Sequence, residues 1–189
     1  MEPETYFEKV SAYADEDLMA PIRKTPFSAG YDIAAAEDII VPPYAEHLST
    51  LQSILGEEDI DKPLTLDRLA AITKATKAKP TLIPTGYKCR LNPDQYLKLV
   101  IRSSSPLKYW LTLANSEGII DSDYYNNADN EGHIYFQVIN LSPFPIQIKK
   151  GDIIGQGIVQ PYMTLDIDPI ENNVRAGGFG STTNDAPGT

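Results

Sequence analysis

The residues best suited to chemistry lie in the segment 118–124, whose sequence is GIIDSDY. Two β-branched residues lead a strand-like stretch into Asp121, and Asp123 and Tyr124 follow within three positions. A carboxylate held at the end of a strand can orient and deprotonate a water molecule, so Asp121 is a candidate general base. Taken alone, the segment is more typical of an ordinary turn, because Asp and Ser favour turns and Tyr is common in strands.

Four further blocks accompany this segment. They are SAGYDIAA at 28–35, RSSS at 102–105, GDIIGQ at 151–156 and RAGGFGST at 175–182. Taken in their order along the chain, the five blocks resemble the five motifs of the trimeric dUTPase family, in its bacterial and phage type with insertions. The resemblance covers nearly the whole chain, and it implies a Mg²⁺-dependent enzyme that hydrolyses dUTP to dUMP and pyrophosphate.

The resemblance assigns the reacting end of the nucleotide to the block 118–124 and to the blocks 102–105 and 151–156. Asp121 corresponds to the catalytic Asp of the family, which activates the attacking water. Arg102, Ser103 and Ser104 correspond to its phosphate-binding block, in which an Arg forks onto non-bridging oxygens while hydroxyl and backbone groups cradle the phosphates. Gln156 corresponds to the Gln that reaches the region of the α-phosphate. Ser104 stands where the family usually has Gly.

The resemblance assigns the nucleoside end to the hairpin around the block 118–124. The resemblance implies that Tyr124 packs against the deoxyribose and leaves no room for a 2′-hydroxyl group. The backbone of Ile119 and Ile120 is expected to hydrogen-bond the uracil edge as another strand would. Asn115 is a candidate side-chain reader of the base, and Tyr135 is expected to contact it through its backbone.

The resemblance also implies a glycine-rich C-terminal arm that closes over the nucleotide. In the family, the Arg that corresponds to Arg175 binds the γ-phosphate, and the Phe that corresponds to Phe179 stacks on uracil. The other arm residues expected to contact the substrate are Gly180, Ser181 and Thr182. Composition alone predicts a disordered Gly- and Ser-rich tail here, but an Arg and a Phe within it favour a binding role.

Few residues could bind a metal ion directly. The resemblance implies that Asp32 helps to organise Mg²⁺ through water molecules, although a buried Asp at the start of a strand is the alternative. The single Cys89 excludes an intrachain disulfide and a multi-cysteine metal site. His47 and His133, the two histidines, lie outside the five blocks.

Most of the chain has the pattern of a mainly β protein. Short apolar runs separated by Pro, Gly, Asn and Asp predict many short strands, including separate pieces at 153–154 and 158–159. We expect one domain over residues 1–189 with the jelly-roll-like β-barrel of the family. A helical hairpin is expected as an insertion at about 44–79, a hairpin extension at about 126–131, and a mobile arm at about 172–189.

Helical spacing identifies the larger insertion. Apolar residues from Tyr44 to Leu55 recur on one helical face, and Gly56 supplies a stop signal. Pro63 and Thr65 can open a second helix. That helix is expected to bury Leu66, Leu69, Ala70 and Thr73.

Composition limits the partners of the chain. The formal net charge is −10 over 189 residues, which argues against a nucleic-acid-binding surface because phosphate backbones require clustered Lys and Arg. The N-terminus lacks the basic and apolar regions of a signal peptide, and no apolar run is long enough to cross a bilayer. We therefore expect a cytoplasmic protein without a membrane partner.

The resemblance implies a homotrimer in which each active site draws its blocks from different subunits. A deoxycytidine triphosphate deaminase, or a bifunctional deaminase–diphosphatase, on the same fold is the nearest alternative, but those enzymes need a Glu at the pyrimidine C4. Phage-type members of the family can also bind repressor proteins. A regulatory protein partner at the helical insertion is therefore a compatible second activity.

Overall fold

The computed structural model describes residues 5–55, 63–166 and 178. Within them the chain forms eleven strands, three α-helices and two short 3-10 helices, so the prediction of a mainly β protein is confirmed. None of these helices is long and apolar enough to span a membrane. The strands are β1 (Tyr6–Lys9), β2 (Tyr31–Ala34), β3 (Ile39–Val41), β4 (Thr81–Pro84), β5 (Tyr87–Arg90), β6 (Gln95–Ile101), β7 (Leu111–Leu113), β8 (Gly118–Asp121), β9 (Tyr135–Asn140), β10 (Ile146–Ile148) and β11 (Ile153–Pro161). The helices are α1 (Tyr44–Leu55), α2 (Leu66–Thr76) and α3 (Ser104–Tyr109).

These strands pair only in antiparallel fashion and form four sheets. The largest sheet has the order β2-β11-β6-β8, the next has the order β4-β9-β7, and two pairs, β1-β5 and β10-β3, complete the set. Apolar side chains from the two larger sheets form one buried cluster, with Ile33 and Leu97 from the first and Ile83 and Phe136 from the second. The two sheets therefore share one core.

The strand β11 is longer than the sequence predicted. The pieces expected at 153–154 and 158–159 belong to one strand, which runs through Gly155 and Gly157 with a register shift near its start. A Cβ atom at Gly155 would collide with the ring of Phe136 and the carbonyl oxygen of Val100. Glycine is thus required here by close packing and does not end the strand.

The two predicted helices form, but the second does not bury its apolar side. The hydroxyl of Thr65 caps α2 by accepting a hydrogen bond from the backbone N–H of Arg68 at 3.3 Å. No residue of α2 is buried, and Leu66 is 85% exposed. The predicted burial of Leu66, Leu69, Ala70 and Thr73 is therefore wrong for this chain. The physical reason is that α2 contacts α1, which is itself largely exposed and offers little apolar cover.

The helical segment leaves and rejoins the sheets at neighbouring points. Pro43, just before α1, bridges to Asn140 of β9, and Thr81, the first residue of β4, pairs with Val138 of the same strand. Two residues along a strand span about 7 Å. The two ends of the segment 44–80 therefore lie side by side on β9.

Candidate active site

A cavity of about 150 Å³ lies between residues of the two larger sheets. The turn 114–117 carries the chain from β7 in one sheet to β8 in the other, and Ser116 adopts a left-handed conformation in it with φ 63°. Five residues predicted to bind the substrate line this cavity: Asn115, Ile119, Ile120, Tyr124 and Tyr135. They lie within residues 115–135 but belong to different sheets and connections, and the crossing between sheets brings them together.

Asp121 is the last residue of β8 and directly follows the cavity residue Ile120. It pairs with Tyr96 in β6, and its side chain is half-buried. At the other end of β8, a Cβ atom added to Gly118 would lie 3.0 Å from the Cβ of Leu99, so the two strands approach closely there. Because the whole of β8 is paired with β6, the Asp121 carboxylate stands on a rigid strand, which favours accurate placement of a catalytic group.

Tyr124 forms the base of the cavity. Its side chain is buried, and its hydroxyl donates a hydrogen bond to the His133 carbonyl oxygen at 3.0 Å. Gly178 lies against the ring, since a Cβ atom at that position would be 2.9 Å from Tyr124 Cε2. Tyr135 is half-buried and packs against His133 in a tilted arrangement with ring centroids 4.1 Å apart, and burial raises the pKa of its hydroxyl.

A second group of predicted residues lies elsewhere in the large sheet. Gln156 of β11 pairs with Asp32 of β2, and its side-chain Nε2 donates a hydrogen bond to Asp32 Oδ1 at 2.8 Å. Asp32 is buried. Gly30 allows this arrangement, because a Cβ atom there would lie 2.9 Å from the Cβ of Gln156.

Arg102 joins this second group. On the other side of β11, Gln156 pairs with Val100, two residues before Arg102, so these groups share one end of the sheet. Arg102 and Ser104 line a cavity of about 320 Å³, and Ser104 is the first residue of α3. Ser103 lies between them and is exposed.

The two groups lie at opposite ends of β6. Asp121 is opposite Tyr96 near the start of that strand, whereas Arg102 follows its last residue, Ile101. Six residues of extended chain separate Tyr96 from Arg102 and span about 20 Å. One copy of the chain therefore presents a cavity with a strand-end carboxylate at one place and a cationic, hydrogen-bonding surface at another.

The donor groups fit only an indirectly bound magnesium ion. No group of three or more His, Cys, Asp or Glu residues that could hold a metal occurs in the described part of the chain. Asp32 offers a single buried carboxylate that already accepts a hydrogen bond from Gln156. Mg²⁺ usually retains several waters and needs only one or two protein carboxylates besides phosphate ligands.

The remaining predicted residues, Arg175, Phe179, Gly180, Ser181 and Thr182, lie outside the described residues. Four residues that line the first cavity were not predicted as site residues from the sequence: Leu99, Gly118, Gln137 and Gly178. Gln137 had a usable signal, since it is the polar residue between Phe136 and Val138 in an otherwise apolar stretch of strand.

Comparisons with known proteins agree with this geometry. The dUTPase family model matches residues 68–183. The deoxyuridine 5′-triphosphate nucleotidohydrolase of Lactococcus lactis is 37% identical over 177 residues, which cover 93% of this chain and 95% of the relative. A dUTPase crystal structure from Streptococcus mutans is 32% identical, with a TM-score of 0.63, and the match covers 85% of this chain and 98% of that one.

A more distant structure shares the fold. It is a mutant dUTPase from a phage of Staphylococcus aureus, described as coordinating a structural Mg(II) ion. Its sequence identity is 16% and its TM-score 0.56, with 89% of this chain and 97% of that chain covered.

Proposed function

The chain belongs to the dUTPase family and is a dUTP diphosphatase, and we propose that Asp121 is the general base of its reaction. The carboxylate of Asp121 orients a water molecule and takes its proton as the water oxygen attacks the α-phosphorus. The bond from that phosphorus to the bridging oxygen breaks, and dUMP and pyrophosphate leave. The half-buried position of Asp121 at the end of a fully paired strand supports this role.

The cavity beside Asp121 takes the deoxyuridine. The backbone of Ile119 and Ile120 and the side chain of Asn115 read the uracil edge, and Tyr135 contributes through its backbone. Cytosine presents an inverted set of donors and acceptors, which would leave buried groups unpaired. The ring of Tyr124 packs against the deoxyribose and excludes a 2′-hydroxyl group, and its burial at the base of the cavity supports this assignment.

The second group takes the triphosphate. The Arg102 guanidinium forks onto phosphate oxygens, Ser103 and Ser104 donate hydrogen bonds to them, and Gln156 reaches the α-phosphate region. Bound Mg²⁺ would neutralise charge on the phosphate oxygens, and Asp32 would help to hold it through water molecules. The hydrogen bond between Gln156 and Asp32 supports a shared role for these two residues.

The observation that carries the quaternary proposal is the separation of the two groups. The general base and the phosphate-binding groups must contact the same α-phosphate. Groups about 20 Å apart within a single copy of the chain cannot do so. We therefore propose that Asp121 of one copy faces Arg102 of another, in the homotrimer that the resemblance to the family implies. Exposed apolar side chains in and beside α3, among them Leu107, Trp110 and Leu141, support contact with further copies, because a patch of this kind is uncommon on a monomer.

The architectural details of the family are part of the same proposal. We propose one domain with a jelly-roll-like barrel, a helical hairpin inserted at about 44–79 and an arm at about 172–189. The adjacent ends of the segment 44–80 on β9 support an insertion. The contact between Gly178 and the Tyr124 ring supports an arm that brings Arg175, Phe179, Gly180, Ser181 and Thr182 to the nucleotide.

The experiment that tests the function is pyrophosphate release from dUTP and the four common deoxynucleoside triphosphates, with Mg²⁺ and with EDTA. We expect release from dUTP alone and loss of activity in EDTA. Formation of dUTP or dUMP from dCTP would instead identify the deaminase or the bifunctional enzyme. Equal turnover of all five nucleotides would contradict the assignment of the base-reading cavity.

The exposed surface of α1 and α2 favours a second candidate function, the binding of a regulatory protein. Leu48 and Ile54 of α1 and Leu66 and Leu69 of α2 are exposed, and apolar helix faces of this kind are common docking sites. A Leu66→Asp, Leu69→Asp double variant should hydrolyse dUTP normally. It should no longer bind a partner protein, purified from the source cells, that binds the wild-type protein. Undiminished binding of that partner would exclude this surface.

A further inference from the structure

The residues that follow Tyr124 form a closed loop, residues 126–132, built on the backbone of Tyr124 itself. Asn126 N donates to Glu131 O at 3.0 Å, and Glu131 N donates to Asn127 O at 3.1 Å. Asn126, Glu131 and Gly132 have φ values of 57°, 60° and 83°. A Cβ atom at Gly132 would lie 2.6 Å from the Tyr124 carbonyl oxygen, so the loop packs directly on that residue.

Two asparagine side chains fill the inside of the loop. Asn127 Oδ1 accepts from the backbone N–H groups of Asp129 and Asn130 at 3.0 and 3.1 Å, which turns its Nδ2 toward Tyr124 O and Asn130 Oδ1 at 2.8 and 2.9 Å. Asn130 Oδ1 also accepts from Gly132 N at 3.1 Å. Backbone partners therefore fix the orientation of both amides, and Asn130 is left with its Nδ2 directed at Tyr124.

The Asn130 amide holds the hydroxyl end of the Tyr124 side chain. Asn130 Nδ2 donates to the Tyr124 hydroxyl at 2.7 Å, and that hydroxyl donates onward to His133 O at 3.0 Å. The loop is anchored on its outer side as well, because Lys88 Nζ donates to Asn126 Oδ1 at 2.7 Å. The hydroxyl of Tyr124 thus has both a fixed donor and a fixed acceptor, and its ring cannot tilt without breaking one of these bonds.

We propose that Asn130 is a positioning residue for Tyr124, and that the 126–132 loop thereby sets the selectivity of the enzyme for deoxyribose over ribose. This inference rests on the proposed contact between Tyr124 and the sugar. A ring that excludes a single hydroxyl group works only if it cannot retreat, and functional groups of this kind must be held within about 0.5 Å. Asn130 supplies that constraint from a segment that belongs to none of the five sequence blocks.

The test compares kcat/KM for dUTP and for UTP in the wild-type enzyme and in the Asn130→Ala and Tyr124→Phe variants. Tyr124→Phe keeps the ring and the hydrogen bonds inside the loop but removes the hydroxyl that anchors the ring. We expect either change to lower the dUTP-to-UTP ratio about threefold to tenfold, as the loss of one or two hydrogen bonds would. The double variant should fall no further, because both changes break the same interaction.

The matched control is Asp129→Asn, an exposed residue of the same loop, which should keep the wild-type ratio. A wild-type ratio in Asn130→Ala, additive effects in the double variant, or an equal fall in Asp129→Asn would overturn the inference. Should Asn130→Ala fail to fold, a wild-type ratio in Tyr124→Phe would overturn it alone. Tyr124→Ala separates the two levels: if it leaves the ratio unchanged, the sugar contact itself is wrong, whereas an altered ratio there with a normal Asn130→Ala refutes only the role of Asn130.

Discussion

Asp121 is the residue at which a change of one atom should separate catalysis from binding. Asp121→Asn keeps the size and shape of the side chain and its capacity to form hydrogen bonds, but removes the basic carboxylate oxygen. We expect kcat for dUTP to fall by roughly 10² or more, as is typical when a general base is lost. The affinity for a non-hydrolysable dUTP analogue, measured by calorimetry, should change little.

Asp123 provides the control for that substitution. It is exposed and lies two residues beyond Asp121, in the short helical turn that follows β8. Asp123→Asn should retain most of the activity. If Asp121→Asn turned over dUTP at nearly the wild-type rate, or if the two variants lost activity equally, the assignment of the base would be wrong.

His133 should make the stability of the fold depend on pH. Its ring is buried against Tyr13 and Tyr135 and accepts a hydrogen bond from Gly86 N at 2.9 Å. Burial lowers its pKa from 6.5 to about 4. Between about pH 4 and pH 6.5, the unfolded chain therefore binds a proton at His133 that the folded chain does not. The contribution of His133 to stability is complete above about pH 6.5 and is lost as the pH is lowered. The loss is on the order of 2–3 kcal/mol at pH 4.

Urea unfolding between about pH 7.5 and 4.5 measures this effect. The matched variant is His133→Gln, whose amide oxygen can still accept from Gly86 N but does not titrate in this range. The variant should be less stable at neutral pH, and its disadvantage should shrink as the pH falls. A constant difference between the two proteins across the range would show that His133 contributes nothing to the acid sensitivity.

The sequence located residues that line the cavity better than residues that hold them in place. Asn115, Tyr124 and Tyr135 were all candidates, and the structure gathers them around one cavity. Asn130 was not a candidate, because an Asn in a polar, Asn-rich segment is an ordinary turn residue. Its contact with the Tyr124 hydroxyl depends on the left-handed backbone at Asn126 and Glu131, which composition does not reveal.

Among the elements, α1 and α2 were predicted in position and α3 was not, and the packing of the elements was predicted less reliably than their position. The spacing of apolar residues located α1 and α2, since it reflects a local period. The exposure of α2 and the continuity of β11 depend on neighbours that the local pattern does not encode. Gly155 illustrates the point, because it lies within a strand where Phe136 and Val100 leave no room for a side chain.

The helical segment should be removable without loss of catalysis. Pro43 and Thr81 lie about 7 Å apart along β9, so a short Gly-rich linker in place of residues 47–79 can close the gap. Loop closure changes stability by only about 1 kcal/mol for such a change in length. We expect kcat for dUTP to stay close to wild type, while circular dichroism shows the lost helical signal. A folded deletion variant without activity would mean that the helices help to build the site.

For the whole molecule, the sequence named candidate site residues but not their distribution over the folded chain. The blocks follow one another along the chain, yet the antiparallel pairing of β6 with β8 places Asp121 and Arg102 at opposite ends of one strand. That distribution follows from strand register, which is a property of the folded sheet. Under the proposed function, a second copy of the chain would be needed to bring Asp121 and Arg102 to one phosphate.

Mixing two inactive variants tests this arrangement directly. Asp121→Asn and Arg102→Ala should each have little activity as homotrimers, since one lacks the base and the other the phosphate-binding guanidinium. If each site combines Asp121 of one copy with Arg102 of another, random mixing by joint unfolding and refolding creates about a quarter of sites with both residues intact. Activity toward dUTP should then recover to about that fraction of the wild-type value. If both residues served the same site from one copy, every site would carry one defect, and no mixture of the two variants would regain activity.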